Sequence, residues 1–531
     1  MPTHPAICDR DLKDMQALIG SGFSTLRHSE YLLLDVTEPA SALLWLRRVR
    51  SNVHSVWSLV RNRCDAAKPP AQHDEVWSIA FTYRGLVQLG VIQDEDAPFS
   101  SDFCTGQAAP VRRKLLRDPQ PSSTWEWGDV PVFQEADQAT RAVGAVSILV
   151  ARFHKDPATP AHELSESSLA RSGLYVVRRI RGCAGSFKDG PKDARGKPTI
   201  HLYEPFGFRD GVSQPLPQGL RSERASNSED DDDRVPLGEF VLGHLNAYRE
   251  ESQCPDVRPG STSPAQNLRL PGEERKSPFG RNGSYLAVRQ IHQHVEVFKK
   301  FEATFAANDQ PTVAEKMLGR RKNGSALQTC PSPLDGRDTL RFRMNDSQGF
   351  QCPLGAHVRR ANPRDALADS VADGIASSKL HRLLRRGRPY AACQDSQQCT
   401  HAACATQGTN EDRSSCATGL LFIALVADLA RQFEFIQRLW IGNPRFGNLH
   451  NSGDPIVGDV AARRFVLPGL PIGTQLTQLP DFTQVKGGGY FFLPGLSALE
   501  RLANGEFATV RDGDAARREI DSPPQADRTT T

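Results

Sequence analysis

Three segments of the chain carry residues whose types and spacing could do chemistry. The first is EPFGFRDGVSQP, residues 204–215, in which Gly207 and Gly211 flank Asp210. Glycines permit a sharp turn with positive φ, and an acid held in such a turn can point into a cavity and exchange protons there. The alternative interpretation of Asp210 is an ordinary capped turn without chemistry.

The second segment is QCPLGAHVRRANPRD, residues 351–365. Its histidine, His357, follows Gly355 and Ala356, and these small residues would let a flat ligand approach the backbone. Three arginines come next, namely Arg359, Arg360 and Arg364. Guanidinium groups bind anionic groups of a ligand in bidentate fashion, which favours a binding segment. The alternatives are a core histidine whose hydrogen bonds are satisfied by its neighbours, and a solvated basic loop.

The third segment is HRLLRRGRPY, residues 381–390, which the pattern predicts to be a helix end stopped by Gly387 and Pro389. Arg385 lies just before that stop and could project into a neighbouring pocket. The alternative is a basic helix terminus that stabilises the helix dipole.

Together these segments resemble the dye-decolorizing peroxidase family, and the resemblance is closest to its longer members. It spans roughly Leu18 to Leu496. Further blocks resemble the family in the same order: SIAFTYRGLVQLG, GEFVLGHLNAY, NGSYLAVRQIHQHVEVF, GLLFIALVADLARQFEFIQRLW and GGGYFFLP. The resemblance implies an α+β fold in which two ferredoxin-like domains with antiparallel sheets enclose a pocket for haem b.

The resemblance also implies roles for individual residues. His357 would be the proximal iron ligand, Asp210 the distal acid/base and Arg385 the distal arginine. Leu420 and Phe422 would line the distal face of the haem. A proximal histidine usually donates its second ring nitrogen to a carboxylate, and Asp454 is the predicted partner, with Asp428 as the rival. The arginines of the second segment, Arg359, Arg360 and Arg364, are expected from their spacing to hold the haem propionates.

The implied activity is that of an oxidoreductase, a haem peroxidase that uses hydrogen peroxide to oxidise dyes, phenols or similar small aromatic electron donors. Trp440 or Tyr390 could relay electrons from larger donors, although core packing is the alternative for both. A different hypothesis is a non-catalytic haem-binding protein for storage, delivery or sensing. A third is a structural relative with an empty cavity. Retention of both Asp210 and Arg385 favours the enzyme, because haem binding alone needs neither.

Residues 391–417 look like an insertion relative to the family, and Ala391 stands where the family usually has glycine. The insertion contains His401 and four cysteines, Cys393, Cys399, Cys404 and Cys416. The cysteine spacings are not the tight Cys-x-x-Cys pairs of structural zinc sites. A metal site, a disulfide or redox-sensitive loop, and an ordinary thiol-bearing loop are the three interpretations.

Composition excludes several classes of protein. The 65 basic and 62 acidic residues give a net charge of +3 without a basic stripe, so nucleic acid is not an expected partner. No apolar run is long enough to span a membrane, and the first 14 residues carry charges where a signal peptide would be apolar. We expect a cytoplasmic protein, with oligomerisation possible.

The elements that would position these residues form two similar series of strands and helices. Predicted strands include residues 31–36, 78–83, 143–153, 173–181, 283–290, 419–425 and 490–493, with helices at 39–49, 53–63, 84–89, 295–306 and 428–440. The predicted domains are residues 1–221, carrying the GFRDG motif, and residues 237–511, which bind haem. An acidic loop, 222–236, lies between them and a disordered tail, 512–531, follows.

Overall fold

The computed structural model of the chain describes residues 7–59, 73–92, 98–118, 125–131, 143–159, 161–192, 196, 198–220, 231–257, 278–305, 311–327, 340–392, 417–457 and 464–507. The cysteines of the 391–417 insertion and the tail 512–531 lie outside these residues.

The N-terminal half is an antiparallel sheet covered by helices. Its elements are β1 (His28–Val36), α1 (Pro39–Val49), β2 (Glu75–Phe81), β3 (Ile148–His154), α2 (Glu166–Arg171) and β4 (Leu174–Arg181). The strands lie in the order β2-β3-β1-β4, and every neighbouring pair is antiparallel. This strand and helix order is the ferredoxin-like arrangement that was predicted.

The predicted helix 39–49 is confirmed over the same residues, for local reasons. Pro39 occupies the first turn, where its missing N–H is not needed. The Glu38 carboxylate accepts hydrogen bonds from the backbone N–H groups of Ala40 and Ser41, which caps the helix. One face, including Trp45 and Leu46, is fully buried against the sheet.

A hairpin follows the first sheet and leads into the C-terminal half. The hairpin strands β5 (Pro198–Tyr203) and β6 (Arg209–Asp210) are antiparallel. The second half contains β7 (Ser284–Gln293), α3 (Val295–Glu302), α4 (His357–Ala361), β8 (Leu384–Arg385), β9 (Arg388–Ala392), β10 (Ala417–Val426) and β11 (Thr483–Leu493). Strands β8 and β9 both pair with β10, and the order continues β10-β7-β11, so the ferredoxin-like arrangement recurs.

The two halves form one continuous sheet. Strand β11 pairs with β2 through Phe492 and Phe81. The carboxylate of Asp129 adds a second connection, because it accepts hydrogen bonds from the backbone N–H groups of Gln107, Ala108 and Tyr490 at 2.7–2.8 Å. Asp129 is fully enclosed, and burial raises its pKa to about 7. A buried carboxyl group with three N–H donors ties the halves together rigidly.

Two predicted elements differ in type from the structure; a third, the predicted helix 53–63, is helical at residues 56–59 and lies outside the described residues from 60 onward. The segment at Arg385 is not a helix end, because the preceding helix stops at Lys379 and Arg385 lies in the short strand β8. The predicted α-helix 428–440 consists of π-helical turns, Ala430–Glu434 and Ile436–Ile441. Wider π-helical turns change which side chains face a neighbour and occur often at functional sites.

The remaining helices are short. They are Asp9–Asp14, Ala17–Gly20, Tyr83–Gln88, Ser101–Thr105, Pro110–Leu115, Val313–Leu318, Phe342–Asp346, Val371–Lys379 and Leu496–Ala503, with single 3₁₀ turns at Arg50–Asn52, His162–Leu164, Ala184–Ser186, Asp231–Asp233, Leu237–Glu239, Arg364–Leu367 and Phe446–Asn448. Minor strands are Trp127–Gly128, Gly144–Ala145, Phe187–Lys192, Leu216–Pro217, Arg234–Val235, Arg464–Leu467 and Thr474–Thr477. None of the helices in the described ranges combines the length and the apolar character that crossing a bilayer requires.

Candidate active site

A cavity that is partly open to solvent lies against the C-terminal half of the sheet. The register of the strands explains its wall. Directly paired residues of neighbouring strands point to the same face, and Arg289 pairs with Phe422 while Ile291 pairs with Leu420. All four side chains line the cavity. The prediction that Leu420 and Phe422 face a common pocket therefore agrees with their placement.

His357 begins helix α4 and faces the cavity. Its Nδ1 lies 2.9 Å from Oδ2 of Asp454, whose side chain is completely buried. Burial alone would raise the pKa of Asp454, but the neighbouring His357 and Arg360 lower it below its usual value. The carboxylate thus fixes the imidazole ring and leaves Nε2 to bind a ligand. The rival carboxylate, Asp428, instead forms an ion pair with Arg431.

Asp210 and Arg385 meet at the same cavity from different halves of the chain. Asp210 lies in β6 and Arg385 in β8, and Arg385 Nη1 donates to Asp210 Oδ1 at 3.1 Å. A second guanidinium nitrogen donates to the carbonyl oxygen of Val212 at 2.9 Å. The structure therefore brings Asp210, Arg385 and His357 to one cavity, as the sequence predicted. Their chemical roles stay predictions.

Arg359 and Arg360 do not line the cavity, which corrects the expectation that they hold the haem propionates. Arg359 is buried, donates to the carbonyl oxygens of Asp346 and Cys352, and lies 4.8 Å from the ring of Phe342. Arg360 is fully buried. It donates to four carbonyl groups, those of Gly355, Trp440, Asn443 and Ser452. Both guanidinium groups hold backbone segments together.

The third arginine of that segment, Arg364, does line the cavity, together with Arg320 and Arg382, which the sequence analysis did not single out. Arg320 and Arg364 both donate to the hydroxyl oxygen of Ser213, at 2.7 and 2.9 Å. Arg382 donates to Asp233 at 2.8 Å. All three arginines line the cavity. The acidic run 229–233 was expected to be only a solvated loop, and this part of it is tied to the cavity rim.

Replacing Arg360 tests its structural role. Arg360→Met should lower the free energy of unfolding of the ligand-free protein by about 3–5 kcal/mol, because buried carbonyl groups lose their donor. Urea denaturation measures this loss. Arg47→Met, on the exposed face of α1, is the matched control and should change stability much less. A stable Arg360→Met variant would contradict the assignment.

The two candidate relay residues are buried core aromatics. Trp440 is 5% exposed and Tyr390 is 2% exposed. Trp440 contacts Phe435 and His381 edge-on, with ring centroids 5.5 and 5.1 Å apart. These positions agree with the core-packing interpretation that was the alternative to electron relay.

One imidazole backed by a carboxylate faces a cavity that also holds an acid and a guanidinium, and a histidine-ligated peroxidase would require such an arrangement. Known proteins that resemble the chain point to the same class. A family model described as "Dyp-type peroxidase, C-terminal" matches residues 265–450. A dye-decolorizing peroxidase of Mycena epipterygia is 26% identical over 469 residues, covering 80% of this chain and 76% of the relative. The multifunctional dye peroxidase DyP2 of Amycolatopsis is 27% identical over 448 residues, covering 80% and 81%.

Solved structures agree in fold. A dye-decolorizing peroxidase in complex with 2,6-dimethoxyphenol superposes with a TM-score of 0.63 at 21% identity, covering 94% of this chain and 100% of that chain. The chain is thus similar to dye-decolorizing peroxidases over most of its length, and the solved structures share its fold.

Proposed function

We propose that this protein is a peroxidase that binds haem b at His357 and uses hydrogen peroxide to oxidise phenols, dyes and related one-electron donors. The observation that carries the proposal is the convergence of the His357–Asp454 pair and the Asp210–Arg385 pair on one cavity. A passive haem carrier would need only the first pair. Haem, when bound, supplies the redox chemistry that couples peroxide to an electron donor.

The donor set of the cavity fits this cofactor. His357 Nε2 is left to bind iron, because Nδ1 is engaged by Asp454. Arg320 and Arg364 present guanidinium groups to the cavity beside Ser213 and would bind the propionates. Leu420 and Phe422 supply an apolar wall that would narrow access to small oxidants and exclude larger donors.

Asp210 would act as the acid and base toward peroxide. Its carboxylate would accept a proton from the attacking peroxide oxygen and return that proton to the departing oxygen. Arg385, held by Asp210 and by the carbonyl of Val212, would stabilise the negative charge on the departing oxygen. Because Arg385 is already fixed by two partners, little reorganisation is required when that charge develops.

The experiment that tests the proposal is an absorption spectrum of the purified protein with and without peroxide, followed by oxidation of 2,6-dimethoxyphenol. We expect a haem Soret band, a rapid spectral change with peroxide and its reversal by the phenol. A haem spectrum that peroxide leaves unchanged would favour the storage or delivery hypothesis. The absence of any haem from protein produced with ample haem would overturn the proposal.

A further inference from the structure

Glu204 is a partly buried carboxyl group on the cavity wall that the proposed chemistry does not use. It precedes the turn between β5 and β6 and lines the same cavity as Asp210. Burial raises its pKa to about 7, and the nearby charge of Asp210 acts in the same direction. An acid in such a place is unfavourable unless its oxygens are bound by donors.

Three N–H groups converge on this carboxyl group. Oε1 accepts from the backbone N–H of Phe208 at 2.8 Å, and Oε2 accepts from the backbone N–H of Phe206 at 2.9 Å. The side-chain amide of Gln293 donates to Oε2 at 2.5 Å. Gln293 belongs to β7 in the C-terminal half, so Glu204 connects the β5–β6 hairpin to that half of the sheet.

The same turn is closed by its own backbone. The N–H of Glu204 donates to the carbonyl of Phe208 at 2.9 Å, and the N–H of Gly207 donates to the carbonyl of Glu204 at 2.8 Å. Gly207 has φ +93°, a conformation that favours glycine. With the turn closed in this way, strands β5 and β6 pair in a register that places Leu202 opposite Asp210. The position of the Asp210 carboxylate therefore depends on how tightly this turn is held.

Packing and a backbone hydrogen bond support the aromatic side of the turn. The ring of Phe206 stacks on Phe298 of α3 with centroids 4.2 Å apart, and the N–H of Arg209 donates to the carbonyl of Lys322 at 2.9 Å. These contacts anchor the aromatic side of the turn. On the cavity side, the described contacts that close the turn are those of the Glu204 carboxylate.

We infer that Glu204 is a positioning residue for Asp210: its carboxylate, bound to Phe206, Phe208 and Gln293, fixes the turn that aims Asp210 into the cavity. This inference rests on the proposed function for the role of Asp210. The clamp itself is a property of the protein without haem, so the two can fail separately.

The first test uses haem-free protein. Glu204→Gln places an amide N–H₂ group against an N–H donor, so one of the hydrogen bonds that hold the turn is lost. Hydrogen–deuterium exchange of a peptide covering residues 203–212 should therefore become about tenfold faster or more. Glu38→Gln is the matched control, because Glu38 also accepts from two backbone N–H groups but caps α1, away from the turn. Exchange that Glu204→Gln leaves unchanged, or that Glu38→Gln accelerates equally, would overturn the clamp. Should Glu204→Gln fail to fold, Gln293→Ala removes one donor and should accelerate exchange in the same direction.

The second test asks whether Glu204 acts through Asp210. The affinity of the haem-loaded protein for cyanide, read from the Soret band, should fall in Asp210→Asn and fall less in Glu204→Gln. The double variant should bind cyanide as Asp210→Asn does, because a residue that acts through another adds nothing once the other is removed. If the losses of cyanide affinity in the two single variants multiplied in the double variant, the positioning role would be overturned. A wild-type protein without haem would refute the proposed function and leave the exchange result standing.

Discussion

Asp210→Asn should lower the rate at which the haem-loaded protein reacts with hydrogen peroxide by about 10²–10⁴-fold, the contribution usual for a positioned acid–base group. The amide is nearly isosteric and can still accept from Arg385, so the cavity should keep its shape. Haem content should be unchanged, because Asp210 lies on a different element from His357. Stopped-flow absorption after mixing with peroxide measures the rate.

The control for this prediction is Asp428→Asn. Asp428 also forms an ion pair with an arginine, Arg431, but is not among the cavity-lining residues. The haem-loaded Asp428→Asn variant should react with peroxide at the wild-type rate. A similar loss of reaction rate in both variants would show that the effect arises from the loss of an ion pair in general. An Asp210→Asn variant that reacts with peroxide at the wild-type rate would remove Asp210 from the mechanism.

Local patterns were sufficient to predict most of the sheet and its helices. Helix α1 was predicted over its full length because its cap at Glu38, its proline and its apolar face all lie within a few residues. The strands β7 and β10 were predicted because a buried antiparallel strand leaves a short apolar run with defined ends. The ferredoxin-like order came from the family resemblance, and the predicted domain boundaries stay predictions.

Three of the errors share one cause, which is that distant contacts decided the outcome. Arg385 lies in a strand of two residues that pairs with Leu425 and Ala424 of β10, and this pairing leaves no local signal. Arg360 was assigned to a ligand by its neighbourhood in the sequence, but three of its four carbonyl partners lie 80–92 residues further along the chain. Asp233 looked like part of a solvated acidic run because its partner, Arg382, is 149 residues away.

The candidate site shows the same division. His357, Asp210 and Arg385 could be named from motif and resemblance, and the choice of Asp454 over Asp428 agrees with the 2.9 Å contact. Glu204 lies in the same motif as Asp210 but was not noticed, because nothing in the sequence shows that its carboxylate turns back onto Phe206 and Phe208. A glutamate at the start of a glycine-containing hairpin turn was the only available signal.

Asp454→Asn should weaken haem binding by about 10–100-fold, the usual effect of removing the carboxylate that orients a metal-binding histidine. The amide can still contact His357 but no longer supplies negative charge. Apparent haem affinity, measured by transfer of haem to an acceptor protein, reports the change. Unchanged affinity would separate Asp454 from the iron site.

His357→Ala should abolish stable haem binding, and this is the largest effect that the structure predicts. The substitution removes the imidazole that faces the cavity and leaves the buried Asp454 without its partner, so the melting temperature of the haem-free protein must be measured as well.

His381→Ala is the matched control for this prediction. His381 also lines the cavity, but its ring stacks on Phe435 with centroids 3.9 Å apart, and its loss should leave haem content intact. Added imidazole should fill the space vacated in His357→Ala and restore the Soret band, because the Asp454 carboxylate remains to orient it. A His357→Ala variant that keeps haem through gel filtration, with the wild-type spectrum, would show that iron is held elsewhere.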